Sequence, residues 1–157
     1  MSTADLLAAA RTKGLRIAVA ESCTGGLLAG ELTRPAGAST VFDRGFVTYS
    51  NGAKVRLLGV RMDTLAEHGA VSEEVAAEMA LGALERSEAD MAVSITGVAG
   101  PGASGRKPEG RVCFGLATEV GVQTETIEFG ARGRDEVRAA SVAHALGLLR
   151  QAVERTP

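Results

Sequence analysis

Tryptophan is absent from this 157-residue chain, tyrosine occurs once and phenylalanine four times. So few aromatic rings exclude the base-stacking platforms with which RNA-binding sheets hold single strands. An excess of positive charge is missing too: 17 Lys and Arg stand against 19 Asp and Glu, a formal net charge of −2. That balance leaves no electrostatic footprint for nucleic acid, and no nucleic-acid partner is expected. No apolar run approaches the length that crosses a bilayer, so no membrane partner is expected either. The N-terminus has no charged stretch leading into an apolar one, and so does not read as a secretory signal. Cys23 and Cys113 make neither a metal-binding spacing nor a disulfide framework. A reducing cytoplasm is the resulting expectation.

The chain is rich in small and apolar residues, with 20 glycines and 45% hydrophobic content. Its length suits one domain over residues 1–157 with a full core. The clearest signal is Ala18-Val19-Ala20-Glu21-Ser22-Cys23-Thr24-Gly25-Gly26-Leu27. An apolar run from Leu15 to Ala20 reads as a buried strand, and a helical pattern begins after the glycines. A strand feeding a helix through a Ser/Thr/Gly turn places hydroxyls and free N–H groups at its carboxyl end. Open α/β sheets bind ligands there, and a helix N-terminus favours an anion.

Helices are predicted over 3–13, 25–34, 52–58, 73–87 and 133–154, with Ser72 capping the fourth ahead of Glu73 and Glu74. Strands are predicted over 15–20, 41–49, 91–96, 111–118 and 123–129, the last two as a hairpin. Residues 97–110 read as a glycine-rich loop, long enough to suggest a function. Alternating strands and helices with a late hairpin predict a three-layer α/β/α sandwich. Its sheet is expected to be mixed and mostly parallel, with about five strands.

Three segments end strands with polar chemistry: Glu21 to Gly26, Thr48 to Lys54, and Ser94 to Gly102. If their strands are parallel neighbours, Ser22, Tyr49, Lys54 and Thr96 converge on one edge. That set suits acyl transfer. A serine needs a base, and a lysine serves if burial makes its amine neutral. Tyr49 or Thr96 would orient the lysine or relay a proton. N–H groups near Cys23 to Gly26, or in the Gly97–Gly102 loop, would hold an oxyanion. Each residue also has a plainer role open to it. Ser22 suits a helix N-cap, Lys54 a solvated face, Tyr49 a half-buried strand and Thr96 a strand end; the loop glycines suit mere turns. Cys23 is an alternative nucleophile. His68 and His144 read as structural or surface residues. Arg134 and Arg138, four apart, suit either a solvated face or an anion clamp.

The blocks Ala20 to Leu27, Thr48-Tyr49-Ser50-Asn51 with Lys54, Val71 to Ala76, and Thr96 to Gly102 followed by Lys107-Pro108 resemble the C-terminal domain of the competence-damage-inducible protein CinA. That family includes stand-alone nicotinamide-nucleotide amidases. The resemblance implies an α/β/α fold with a mixed five-stranded sheet. It also implies hydrolysis of the carboxamide of nicotinamide mononucleotide (NMN) to nicotinic acid mononucleotide and ammonia. It casts Ser22 as nucleophile and Lys54 as base, with Tyr49 and Thr96 at the matching positions. Thr24, Gly25, Gly26, Gly97, Gly100, Gly102 and Arg134 become the substrate-binding candidates, with Arg132 and Arg138 competing with Arg134 for one role. A homodimer without metal or cofactor is implied. Glu109 stands where the family's loop is usually apolar. A non-catalytic nucleotide-binding or partner-docking module, and a hydrolase for another amide, remain as alternative functions.

Overall fold

Strand β1 (Ile17–Glu21) is buried along its whole length, as an uninterrupted apolar run between two neighbours should be. In the computed structural model, which describes residues 1–157, those neighbours are β2 (Phe42–Val47) and β3 (Met91–Gly97), both parallel to it. Antiparallel β4 (Arg111–Thr118) follows beside β3, and β5 (Gly121–Glu128) pairs antiparallel with β4. The order is β2-β1-β3-β4-β5, so only β4 opposes the direction of the others.

Helices α1 (Thr3–Thr12), α2 (Leu27–Thr33) and α6 (Arg134–Arg155) cover one face of this sheet. Helices α3 (Asn51–Leu58), α4 (Met62–His68) and α5 (Glu73–Glu85) form the layer on the other. This is the predicted three-layer sandwich. No helix is long and apolar enough to cross a membrane.

The pleat divides the core. Ile17 and Val19 join a cluster of 23 buried residues against α1, α2 and α6, which includes Phe114 and Leu149. Ala18, Ala20 and Ala92 join a smaller cluster of 8 with Val75 and Met79 of α5. Small residues on that side let α5 lie close. A Cβ on Gly115 would stand 2.5 Å from the Ala76 carbonyl oxygen, and Ser94 donates its hydroxyl to that oxygen at 2.6 Å.

Most boundaries shift by one or two residues from expectation. Helix α2 starts at Leu27 rather than Gly25, because Gly25 and Gly26 take left-handed φ values of 57° and 105°. Strand β2 ends at Val47 rather than Tyr49, leaving Thr48 and Tyr49 to turn their carbonyls elsewhere. Strand β5 starts at Gly121, directly after a tight turn at Glu119 and Val120. Helix α4 and a short 3₁₀ turn at Ala38–Thr40 were not predicted.

The chain passes from β1 to β2 on one side and later returns to β3 on the other. A topological switch point therefore lies between β1 and β3, the crevice where open α/β sheets bind ligands. Ser22 is there: its N–H donates to the Ile95 carbonyl at 3.0 Å.

Candidate active site

The turn after β1 is held by its own first residue. Glu21 is fully buried. Its carboxylate accepts from the N–H groups of Gly26, Leu28 and Ala29 at 3.2, 3.0 and 2.9 Å. It thereby satisfies the unpaired donors of the α2 N-terminus. The anion expected at that helix end is thus supplied by the protein itself. Gly25 N–H donates to Ser22 O at 3.1 Å and Leu27 N–H to Thr24 O at 3.0 Å. Of the N–H groups from Ser22 to Ala29, only those of Cys23 and Thr24 have no acceptor in the fold. These two directly follow Ser22.

Lys54 is carried into the site by α3, whose N-terminus Ser50 caps by accepting from Ala53 N–H at 3.1 Å. Its side chain is 1% exposed, so the solvated-face alternative is excluded. Nζ lies 2.8 Å from Ser22 Oγ, 2.9 Å from the Thr48 carbonyl and 3.2 Å from the Tyr49 carbonyl. Burial pulls the amine from 10.5 down to about 8, because leaving bulk water disfavours the charged form. Ser22 Oγ also reaches the Tyr49 carbonyl at 3.4 Å. Ser22 is therefore not an N-cap; its hydroxyl faces the amine.

The other predicted residues are arranged differently. Tyr49 contacts Lys54 through its main-chain carbonyl. The residue is 61% exposed, and its hydroxyl accepts from Arg134 Nη2 at 3.0 Å. Thr96 is buried, but its hydroxyl donates to the Ala70 carbonyl at 2.8 Å and so braces the segment ahead of α5. Arg134 also donates to Gly100 O at 2.8 Å, linking the tyrosine segment to the glycine-rich loop across the mouth of the site. Gly97 closes β3 against β4, where a Cβ would meet Val112 at 2.7 Å. Gly102 N–H is taken by the Glu109 carboxylate. The N–H groups of Ala99 and Gly100 remain free. Thr24 is fully buried and its hydroxyl has no partner.

Cys23 turns into the core against α6, and burial pushes its thiol up to about 11. A thiol so placed is a poor thiolate source, and the alternative nucleophile falls away. Cys113 is core, beside Thr126. His144 packs between Phe114 and Phe129 and pairs with Glu125. No three His, Cys, Asp or Glu side chains cluster as metal ligands.

Three residues of segments singled out in the sequence take roles the sequence did not announce. Glu21 organises the turn. Arg138 donates from α6 to the carbonyls of Cys23 at 3.1 Å and Thr24 at 3.4 Å. Lys107 donates to His68 O and Val71 O, tying the loop to the segment that Thr96 braces. Each had a signal of place though not of role: Glu21 opens the serine turn, Lys107 follows the glycine-rich block, and Arg138 is one of three arginines near the start of α6. Two hollows lie away from this chemistry. One, of about 630 Å³, opens at the opposite end of the strands beside Leu15, Met91 and Leu116; the other, of about 600 Å³, lies beside Phe42.

Known proteins share this arrangement of segments. Residues 2–153 match the family described as the CinA C-terminal domain. The nicotinamide-nucleotide amidohydrolase PncC of Escherichia coli is 51% identical over 144 residues, 91% of this chain and 87% of that protein. A CinA-like protein of Shewanella loihica is 48% identical over 145 residues, 92% of this chain and 34% of the longer relative. The crystal structure of the competence/damage inducible protein CihA from Agrobacterium tumefaciens superposes with a TM-score of 0.93 at 46% identity, over 98% of this chain and 93% of that one. Since the serine turn, the lysine segment, the glycine-rich loop and both α6 arginines all fall within the matched residues, the chain belongs to the CinA C-terminal domain family.

Proposed function

We propose that this protein is an amidohydrolase that removes the carboxamide nitrogen of NMN as ammonia, leaving nicotinic acid mononucleotide. The observation that carries the proposal is the 2.8 Å contact between Ser22 Oγ and the buried amine of Lys54. The choice of substrate follows the Escherichia coli relative, a nicotinamide-nucleotide amidohydrolase.

Neutral Lys54 takes the Ser22 proton as Oγ attacks the carboxamide carbon. The carbonyl π pair moves to oxygen, and the oxyanion rests on the free N–H groups of Cys23 and Thr24. Collapse of the adduct breaks the C–N bond. The Lys54 ammonium protonates the leaving nitrogen, ammonia departs and an acyl-Ser22 ester remains. Lys54, neutral again, deprotonates a water that attacks the ester, and Ser22 recovers its proton. Arg134, exposed at the rim, and the free N–H groups of Ala99 and Gly100 suit the substrate's phosphate. The family resemblance adds Thr24, Gly25, Gly26, Gly97, Gly100 and Gly102 to the proposed substrate-binding segments. The same resemblance extends the proposal to a homodimer, and the cysteine usage to a reducing cytoplasm.

Ammonia release from NMN by wild type and by Ser22→Ala tests the reading. Wild-type turnover that disappears in the variant supports it. Equal rates refute the role of Ser22. Binding of NMN by wild type without turnover favours the non-catalytic alternative.

A further inference from the structure

We infer that Arg138 is a positioning residue for the oxyanion site: from α6 it holds the Cys23–Thr24 peptide so that the Thr24 N–H faces the Ser22 side of the turn. The substrate used to read it out rests on the amidase proposal; the geometry does not.

The two free donors of the turn are held in different ways. The Cys23 N–H belongs to a peptide whose carbonyl, Ser22 O, is fixed locally by Gly25 N–H. The Thr24 N–H belongs to a peptide whose carbonyl, Cys23 O, has no backbone donor. Its donor is Arg138 Nε, at 3.1 Å. A trans peptide points its N–H opposite to its carbonyl. Drawing Cys23 O toward α6 therefore turns the Thr24 N–H away from α6. The Cys23 side chain is buried on the α6 side, whereas Ser22 points to Lys54 of α3 on the other.

Nothing nearer in sequence performs this task. The Thr24 hydroxyl has no partner and locks nothing. The Glu21 carboxylate is occupied by the N–H groups that follow. The guanidinium grips the turn at a second point, Thr24 O, at 3.4 Å. Gly25 leaves it room: a Cβ there would stand 3.3 Å from Arg138 Nη2. A cation on the carbonyl also draws electron density through the amide and strengthens its N–H as a donor. Arg134, one turn earlier, points to Tyr49 and Gly100 instead. The two arginines thus divide the work, one facing the mouth of the site and the other its backbone.

The test compares wild type, Arg138→Met and Arg138→Lys in two assays. The first is steady-state NMN hydrolysis. The second is phosphonylation of Ser22 by a fluorophosphonate, in which the Ser22 O–P bond forms, fluoride leaves and Lys54 takes the proton. The phosphoryl oxygen needs the same donors but no nucleotide. Expected for Arg138→Met are a kcat lower by at least about tenfold, a KM within about threefold and phosphonylation slowed in parallel. Arg138→Lys, which keeps the charge but cannot fork onto two carbonyls, falls between. A raised KM with unchanged kcat makes Arg138 a substrate ligand and overturns the inference. So do equal phosphonylation rates, or losses in both variants that track loss of folded protein in circular dichroism. If wild type leaves NMN intact yet is phosphonylated faster than Arg138→Met, the amidase reading fails and the positioning role stands.

Discussion

Three oxygens surround the Lys54 amine, and its charge decides how they are used. As an ammonium it donates to Thr48 O, Tyr49 O and Ser22 Oγ together; the serine proton then turns to Tyr49 O. As a neutral amine it keeps the two carbonyls as acceptors and turns its lone pair to the Ser22 hydroxyl. The cage fits both states, so only the hydroxyl proton turns and no heavy atom has to move. With the amine titrating at about 8, only about a tenth of it is a base at pH 7. The kcat/KM for NMN should therefore rise about tenfold per unit below pH 8 and level off above it; a flat profile from pH 6 to 9 would remove Lys54 as the base. The same shift acts on stability. Between pH 8 and 10.5 the unfolded lysine holds a proton that the folded one has shed, so this group's contribution to stability rises with pH across that window. Below it the folded state bears the whole burden, at most about 3 kcal/mol. Lys54→Met removes it. Denaturant melts should show the variant's stability relative to wild type greater at pH 7 than at pH 10 by about 2 kcal/mol. The two carbonyl hydrogen bonds that methionine cannot make do not titrate, and they drop out of that difference.

At the level of elements, the site depends on how closely α3 approaches α5. Gly82 of α5 meets the end of α3, and a Cβ there would lie 2.0 Å from Leu58 O. Gly82→Ala must push the helices apart and carry Lys54 with α3. It should lower stability by about 1–3 kcal/mol and reduce activity in the protein that remains folded. Gly147, within α6, has open space around its missing side chain. Gly147→Ala should stabilise by up to about 1 kcal/mol with activity unchanged. Thermal melts beside NMN turnover separate the two. Elements legible in the sequence were those with a local signal. Ser72 ahead of Glu73 and Glu74 announces α5, and it caps Val75 N–H at 3.2 Å. Helix α4 carries no such signal. It has seven residues, no side-chain cap, an exposed Met62 and one buried residue, Thr64. A distant carboxylate fixes it: Glu78 accepts from Arg61 N–H at 2.8 Å and from the Thr64 hydroxyl at 2.6 Å. Tertiary contact, not propensity, makes that helix.

Across the whole molecule, alternating strands and helices made the layers legible. Parallel strands end on a common edge, which made the meeting of Ser22 with Lys54 foreseeable. The rest of the site was not. Tyr49 reaches the amine through a backbone carbonyl, and a motif of side chains cannot announce that. Arg138 reaches a turn 115 positions earlier in the chain, a contact that only the packed α6 creates. Charge has the same long-range character. The chain is net negative, at −2, yet Arg134, Arg138 and Lys54 gather at the site. On the proposed function, an anionic phosphate would be drawn to a local cationic rim on an acidic molecule, a steering effect that salt screens over about 10 Å at 0.1 M. The kcat/KM for NMN should fall about two- to threefold between low and physiological ionic strength. Nicotinamide riboside, which keeps the ring cation and lacks the phosphate, should show no such fall. Arg134→Ala should flatten the NMN dependence and raise its KM more than that of the riboside. An NMN rate that climbs with salt would mean that the acidic surface, and not the arginine rim, sets the field the substrate meets.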